Sequence, residues 1–274
     1  MKSAKQMLPK FVGTILCIGA LFDSGVVLSS DTDNFSWPEK SKAAIVLTYD
    51  DTLNSHLDVA VPQLNTAGLK GTFYISGARG DISGRMKEWR AVSKRGHELA
   101  NHTLYHPCRK TPTRDWVSAD YDMVGYSVEQ YVNELKVTNT LLQALDGQTE
   151  RTFAYTCGDT AVGEFSVVEA IQDTVIAARA VTPDGYNTPG SVDYYNIRSQ
   201  DMSNKTGQEL IAFAEKARKN KQMMVYLFHG VGGDYLSVDA QAHQELVGYL
   251  SKNNKDYWVT TLREAVKYLR ASEQ

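Results

Sequence analysis

The sequence predicts a single α/β domain built around a barrel-like parallel sheet. Short apolar, β-branched segments alternate with longer segments whose apolar residues recur at spacings of three and four, as in strands followed by amphipathic helices. About seven such units fit into the chain, a number typical of one large barrel-like domain. At 274 residues the chain is long enough to bury a substantial core.

The elements follow from these two periodicities. The predicted strands are residues 43–49, 71–75, 97–101, 152–155, 175–181, 223–228 and 257–260. The clearest predicted helices are residues 128–145, 208–217 and 240–250. In parallel βα units the chemistry gathers where strands end, so polar residues at those positions are the candidates for function.

The N-terminal segment has the pattern of an export signal. Three lysines precede apolar residues 11–22, and small and polar residues follow. The apolar run is too short to cross a bilayer comfortably, which argues against a stable membrane anchor. We therefore predict a signal peptide at 1–29, a linker at 30–42 and the (β/α) barrel domain at 43–270. The expected location is periplasmic or extracellular.

The overall charge excludes one class of partner. The formal net charge is −3, whereas binding to nucleic acid normally requires a basic face that neutralises phosphates. The sequence does not define the oligomeric state.

Two adjacent carboxylates end the first predicted strand. Asp50 and Asp51 follow an apolar run, and two carboxylates near a core are costly without a compensating charge. A solvated turn is the simpler interpretation for an isolated pair, but a bound cation would reverse that preference. Because side chains alternate along an extended chain, one carboxylate could bind an ion while the other stays free.

Histidines end two further strands. His102 and His106 follow the strand at 97–101, and their spacing of four predicts one face of a helical turn, close enough to share an ion. Two imidazoles and one carboxylate would leave coordination positions open for water and substrate. His229 ends the strand at 223–228 before a glycine-rich loop, where a histidine suits proton transfer. Taken alone, a histidine pair at this spacing is more often a surface coincidence, and a strand-end histidine is more often structural.

These segments together resemble the polysaccharide deacetylase (NodB-homology) family, carbohydrate esterase family 4. The matching motifs are Thr48-Tyr49-Asp50-Asp51, His102-Thr103-Leu104-Tyr105-His106 and Leu227-Phe228-His229. The resemblance implies a distorted (β/α)7 barrel. It also implies hydrolysis of acetyl groups by a metal-activated water, with one divalent ion, most simply Zn²⁺ and alternatively Co²⁺. The partner would be an acetylated polysaccharide or oligosaccharide.

The resemblance also assigns roles to residues. Asp51, His102 and His106 correspond to the metal ligands. Asp50 corresponds to the catalytic base and His229 to the catalytic acid. The backbone N–H of Cys157 corresponds to an oxyanion donor.

The third and fourth motifs depart from the family pattern. Ala154 stands where the family has an arginine that positions the base. Arg151 would lie on the opposite face of the strand, and Arg179 could supply the charge instead. No tryptophan occurs between Val181 and Met202, so we name Tyr155 and Tyr186 as substrate-contacting candidates.

The remaining cysteines and histidines have simpler interpretations. Cys108 and Cys157 flank the motifs, so in an exported protein they are expected to form a disulfide; two separate buried thiols are the alternative. His56 and His243 fit exposed positions on helices.

Three functions are compatible with the sequence. The first is removal of acetyl groups from a carbohydrate, either an N-acetylglucosamine polymer or an acetylated xylan; the motifs do not separate amide from ester. The second is a catalytically impaired barrel that binds glycans, favoured by the change at Ala154. The third is an amidohydrolase for a small metabolite.

Overall fold

The structure, a computed structural model, describes residues 35–273. Its strands are β1 (Ala43–Asp50), β2 (Thr72–Ile75), β3 (Glu98–Asn101), β4 (Thr152–Ala154), β5 (Ala161–Val162), β6 (Phe165–Ser166), β7 (Ala177–Arg179), β8 (Tyr186–Asn187), β9 (Gln200–Asp201), β10 (Met223–Phe228) and β11 (Tyr257–Thr260). Its α-helices are α1 (Val61–Ala67), α2 (Met86–Lys94), α3 (Val128–Asp146), α4 (Gly207–Asn220), α5 (Ala240–Lys252) and α6 (Leu262–Ser272).

The predicted α/β fold is confirmed. All seven predicted strands are present with bounds that differ by at most two residues, and all three predicted helices form. Nine strands make one curled sheet in the order β7-β4-β3-β2-β1-β10-β8, with β11 beside β1 and β9 beside β10. Within this nine-stranded sheet, every pair of neighbouring strands is parallel except β8 with β10. This curled sheet matches the (β/α)7-like barrel that the family resemblance implies.

An irregular segment links the two sides of the curled sheet. Ile197 forms a bridge with Arg179 at the end of β7, while β9, a few residues later, pairs with β10. Residues 197–201 therefore stand where a regular barrel would have a full strand. As a result, the carboxyl ends of β1, β3, β7 and β10 lie around one opening.

The interior of the curled sheet is filled in layers by side chains from alternate strand positions. At the lower layer, the buried Glu98 carboxylate accepts hydrogen bonds from the hydroxyls of Thr72 and Thr152, at 3.0 and 2.7 Å. Above it, Ala100 and Ala154 are small, which leaves room for larger neighbours at the same level. The outer face of the sheet packs under the helices through a larger apolar cluster that includes Tyr49, Phe73 and Phe228.

The helices begin at capping residues that the sequence supplies. Thr206 and Glu209 form a capping box at the start of α4, and Asp239 and Thr261 cap α5 and α6. Such caps satisfy the free N–H groups of the first helical turn. They therefore fix where each helix starts relative to the strand before it.

Part of the predicted linker packs against the domain. Trp37 is buried, its indole N–H donates to the carbonyl of Lys221 at 3.1 Å, and its ring packs near Trp258 and Tyr268. Aromatic contacts thus hold residues 35–42 near the amino ends of β10 and β11. The predicted signal peptide at 1–29 lies outside the described residues. Within residues 35–273, no helix combines the length and apolar character needed to cross a membrane.

Candidate metal centre and active site

A cavity of about 640 Å³ opens at the carboxyl ends of the strands. Its walls include all five residues of the predicted metal and acid–base set: Asp50, Asp51, His102, His106 and His229. They are contributed by the ends of β1, β3 and β10, which are far apart in the sequence. The structure therefore brings the three motifs to one place, as the parallel topology predicts.

Three of these side chains converge on a single point. The Asp51 Oδ1 atom lies 2.9 Å from His106 Nε2 and 3.3 Å from His102 Nε2. One ligand atom from each residue falls within 4.8 Å of the others, and all three residues are buried. A carboxylate and two imidazoles in this arrangement can hold a metal ion and leave positions open toward the cavity.

The two histidines reach this point from a loop rather than a helical turn. Residues 102–106 follow β3 without helical structure, and Thr103 and His106 have φ values of 63° and 56°. The predicted helical turn is therefore wrong, although the predicted proximity of the two rings is correct, with centroids 4.8 Å apart. The turn is stabilised locally: Thr103 N–H donates to Asn101 Oδ1, and His106 N–H donates to Thr103 Oγ1.

The orientation of His102 tests whether these residues fit a metal. Its Nδ1–H donates to the Ala154 carbonyl at 2.8 Å, so in the neutral ring Nε2 carries a lone pair directed at Asp51. Burial lowers the pKa of His106, which favours its neutral form as well. A cation placed between these lone pairs and the carboxylate oxygen would offset the repulsion among them. The donor set therefore fits a metal ion.

Asp50 is held by an arginine from another strand. The buried Arg179 guanidinium donates through Nη2 to Asp50 Oδ2 and through Nη1 to Ser199 Oγ at 2.8 Å, and it lies over the Tyr74 ring. Arg179 and Ala154 are register partners on neighbouring strands, so their side chains share the inward face. The alternative position predicted for the missing arginine charge is thus confirmed.

Arg151 lies outside the cavity, as predicted. Its guanidinium pairs with the Asp146 carboxylate at 2.6 Å and donates to the Leu99 carbonyl at 2.9 Å. Arg151 therefore ties the end of α3 to β3 and does not line the cavity.

His229 faces two carboxylates from the end of β10. Its Nε2 lies 3.8 Å from Asp51 Oδ2, and its Nδ1 lies 3.7 Å from Asp201 Oδ1. Burial acts to lower the pKa of His229, but Asp201 and the charges of Asp50 and Asp51 outweigh it, so the pKa is raised. The imidazole is thereby kept able to donate a proton near neutral pH.

Tyr235, in the loop after His229, contacts the metal-ligand carboxylate directly. Its hydroxyl donates to Asp51 Oδ2 at 2.7 Å, which leaves Oδ1 facing the two histidines. We expect Tyr235→Phe to weaken Zn²⁺ affinity about tenfold, because hydrogen bonds that orient metal ligands contribute at that level. Competition against a chromophoric chelator measures this. Tyr155→Phe is the matched control, since the Tyr155 hydroxyl donates to a backbone carbonyl; equal affinities in all three proteins would contradict the prediction.

The predicted disulfide between Cys108 and Cys157 is present. Their Cα atoms are 5.8 Å apart and the bond joins the loop after His106 to the segment after β4. It therefore connects one metal-ligand loop to the wall that carries Cys157, which lines the cavity.

Removing this disulfide should lower stability measurably. It closes a separation of 49 residues. For a loop of that size we expect a loss of about 3–4 kcal/mol in the Cys108→Ser/Cys157→Ser variant, because the unfolded chain regains freedom. That corresponds to a fall in Tm on the order of 10 °C for a domain of this size. Calorimetry with and without reductant checks it: reductant should lower Tm in the parent protein only, and an equal response of both proteins would contradict the assignment.

Two of the three candidates for contact with the substrate or oxyanion line the cavity, and the third does not. Tyr155 is buried and lines the cavity, with its hydroxyl donating to the Tyr195 carbonyl at 3.0 Å. Cys157 lines the cavity in a left-handed backbone conformation with φ of 55°. Tyr186 does not line it: β8 lies antiparallel to β10, which directs the ring into the core beneath α4, and its hydroxyl donates to the Phe213 carbonyl at 3.4 Å.

The prediction that His56 and His243 are exposed is wrong. Both are fully buried, and burial lowers their pKa values to about 4 and about 3, so both rings are neutral. His56 lies in a π-helical turn, His56–Ala60, and its Nε2–H donates to the His229 carbonyl at 2.9 Å. His243 contacts the Tyr49 hydroxyl at 2.7 Å. These buried rings support the strand ends from behind.

Three residues that line the site were not predicted from the sequence: Asp201, Tyr235 and Trp116. Asp201 follows a segment too short to show periodicity, and Tyr235 lies in a loop among residues typical of turns. Trp116 lies in the polar segment after the histidine motif and lines the cavity. A tryptophan in a polar loop close to a ligand motif was the one signal that could have been used.

The fold and site together define a class of protein: an α/β barrel with a candidate metal centre at the carboxyl ends of its strands. The sequence pattern of the family described as polysaccharide deacetylase matches residues 38–173. This match includes the Asp50-Asp51 and His102–His106 motifs, and the resemblance to the family is confirmed. No curated protein sequence gives a significant match.

Solved structures share this fold at low identity. A proposed polysaccharide deacetylase from Mycobacterium smegmatis is 14% identical over 87% of this chain and 94% of its own, with a TM-score of 0.62. A family 4 acetyl xylan esterase from Clostridium thermocellum, in complex with a cobalt ion, is 19% identical over 83% and 92%, with a TM-score of 0.54. A mutant of the peptidoglycan deacetylase PdaC from Bacillus subtilis is 16% identical over 84% and 94%, with a TM-score of 0.51.

Proposed function

We propose that this protein is a metal-dependent hydrolase that removes acetyl groups from a carbohydrate outside the cytoplasm. The observation that carries the proposal is the convergence of Asp51, His102 and His106 beside Asp50 and His229 on one open cavity. The match to the polysaccharide deacetylase family supports a carbohydrate deacetylase in general. The particular mechanism rests on the chemistry of these side chains.

The proposed ion is divalent, Zn²⁺ in the first place and Co²⁺ as the alternative. Two imidazole nitrogens and one carboxylate oxygen form a ligand set that suits either metal. When bound, such an ion supplies Lewis-acid polarisation of the acetyl carbonyl and makes water more acidic. The cobalt complex of the Clostridium thermocellum esterase supports the same choice.

Asp50 is proposed as the base. Arg179 occupies its Oδ2 atom, and Oδ1 is buried without a hydrogen-bond donor from residues 35–273. Asp50 lines the cavity beside the ligands, and we assign its free oxygen to take a proton from the water that attacks the acetyl carbon. Holding one oxygen fixes the direction of the other, so Arg179 is a positioning residue.

Proton donation is proposed for His229, and oxyanion stabilisation for the cavity wall. The carboxylates around His229 keep its pKa raised, which suits delivery of a proton to the departing amine or alkoxide. The Cys157 backbone N–H, held by the disulfide, is the proposed donor to the oxyanion of the tetrahedral intermediate.

A catalytically impaired barrel is the second candidate function, and its support in the sequence was Ala154 at the position of the family's arginine. Its main support weakens because Arg179 provides the missing charge at Asp50. An amidohydrolase for a small metabolite is less well supported, since the cavity is broad and exposes apolar side chains at its mouth.

Metal removal tests the proposal. We expect acetate release from acetylxylan, chitooligosaccharide or peptidoglycan by the purified protein, its loss after exhaustive chelation, and its recovery on adding Zn²⁺ or Co²⁺. His106→Ala should not recover, because it lacks one ligand. Acetate release that continues in fully metal-free protein would overturn the mechanism, and no release from any acetylated glycan would overturn the function.

A further inference from the structure

One cation in the cavity has no partner in the proposed reaction. Arg79, on the loop after β2, is half-buried and lines the cavity, and it forms no ion pair with a carboxylate of residues 35–273. Tyr235, whose hydroxyl donates to Asp51 Oδ2 at 2.7 Å, lines the same cavity. Arg79 therefore shares one cavity with the candidate metal ligands.

The other charged groups of the cavity wall are already matched. Each carboxylate or guanidinium there has a partner of opposite charge or belongs to the metal set: Asp50 with Arg179, Arg114 with Asp159 at 2.7 Å, Asp201 with His229 at 3.7 Å, and Asp51 with the histidines. An unmatched guanidinium in a partly enclosed cavity is a ready site for an anion, because its fixed fork suits two carboxylate oxygens.

An apolar surface adjoins this cation. Four large apolar side chains that are exposed to solvent line the same cavity: Trp116, Val181, Tyr235 and Leu236. The Trp116 side chain is 56% exposed, which is unusual for a residue of this size unless it contacts a ligand. Ligand pockets combine such flat apolar surface with a few well-placed polar groups.

We propose that the substrate is an acidic acetylated glycan, whose carboxylate binds Arg79 while a sugar ring lies against Trp116. This inference rests on the deacetylase function proposed above and names its substrate class. Neutral chitin-like or xylan backbones would leave Arg79 unsatisfied. The carboxylate can belong to a uronic acid or to a lactyl ether on an amino sugar, since both present the same anion.

Matched pairs of substrates separate charge from shape. One pair is an N-acetylated disaccharide containing muramic acid, with its lactyl group as the free acid or the primary amide. The other is an acetylated xylo-oligosaccharide bearing glucuronic acid or the corresponding glucose. For each pair, the ratio of kcat/KM for acetate release is measured in the parent protein, Arg79→Gln and Arg79→Lys. Arg90→Gln, on the exposed face of α2, is the control.

We expect the parent protein to prefer the acid about tenfold in one pair, as for hydrogen bonds to a charged group at a half-buried site. The ratio should fall to near one in Arg79→Gln, remain above one in Arg79→Lys and stay unchanged in Arg90→Gln. The pair that shows the preference identifies the source of the carboxylate. A ratio near one in both pairs, or a preference that survives in Arg79→Gln, overturns the proposal.

Binding measured without turnover keeps this proposal distinct from the function on which it rests. Titration calorimetry with the same acid and amide ligands requires no acetate release. If no glycan is hydrolysed but the acid binds about tenfold more tightly in an Arg79-dependent manner, the anion site stands and the deacetylase function fails. If the neutral members are hydrolysed and the acid has no binding advantage, the function stands and the anion site fails.

Discussion

Asp50→Asn should retain the metal ion and lose about a thousandfold in kcat, within the range that general bases contribute. Asp50 is not among the converging ligands, and its Oδ1 is the free oxygen that would accept the proton. An amide oxygen there is nearly isosteric and can still accept from Arg179, but it is a very weak base. Acetate release at saturating substrate, with metal content by mass spectrometry on the same sample, measures both quantities.

The comparison with neighbouring residues makes this result specific. Asp51→Asn and His106→Ala are expected to lose metal and turnover together, because each removes or weakens a ligand. Circular dichroism establishes that each variant is folded at the assay temperature. Full activity in Asp50→Asn would show that the base is misassigned, and loss of its metal would show that Asp50 is a ligand.

Arg179→Gln should reduce kcat about a hundredfold, the scale of effect expected when a reacting group moves by about 1 Å. The same change removes one partner of a buried ion pair, so stability should fall by about 3–5 kcal/mol. Assays are therefore run well below the Tm of the variant. Arg151→Gln is the matched control: it breaks the buried pair with Asp146, away from the cavity, and should lose stability without a comparable loss of kcat.

A swap of two side chains tests the role of Arg179 more sharply. Ala154 and Arg179 are register partners whose side chains lie on the same inward face, so Ala154→Arg combined with Arg179→Ala nearly conserves volume. We expect this double variant to recover at least tenfold in kcat over Arg179→Ala alone, because the guanidinium returns to the neighbourhood of Asp50. A folded double variant as inactive as the single one would contradict a positioning role for the charge.

The parts of the site that the sequence could predict are those that end regular strands. Asp50 and Asp51 stand at the end of β1, and His102 and His229 directly follow β3 and β10. Parallel topology brings such strand ends together regardless of their separation in the chain. The sequence also placed Arg179 on a later strand, as the alternative source of the missing charge. The parallel topology therefore predicted which residues meet, although no local pattern in the sequence indicated it.

The details that could not be predicted depend on loops and on packing from behind the sheet. The spacing of His102 and His106 indicated a helical turn, yet two residues of positive φ bring the rings together instead. His56 looked like a helix-surface residue, but a π-helical turn buries it against the His229 carbonyl. Tyr235 reaches Asp51 only because its loop folds back over the cavity. Such contacts are set by tertiary structure and have no periodic signal.

The proposed mechanism requires one divalent cation shared by Asp51, His102 and His106, with Asp50 free. Crystals of the Zn²⁺- or Co²⁺-loaded protein, measured at the absorption edge of the metal, test this directly through anomalous scattering. We predict one strong peak at about 2.0–2.2 Å from Nε2 of both histidines and from an Asp51 oxygen. A peak coordinated by Asp50, a peak elsewhere, or no peak at saturating metal would contradict it.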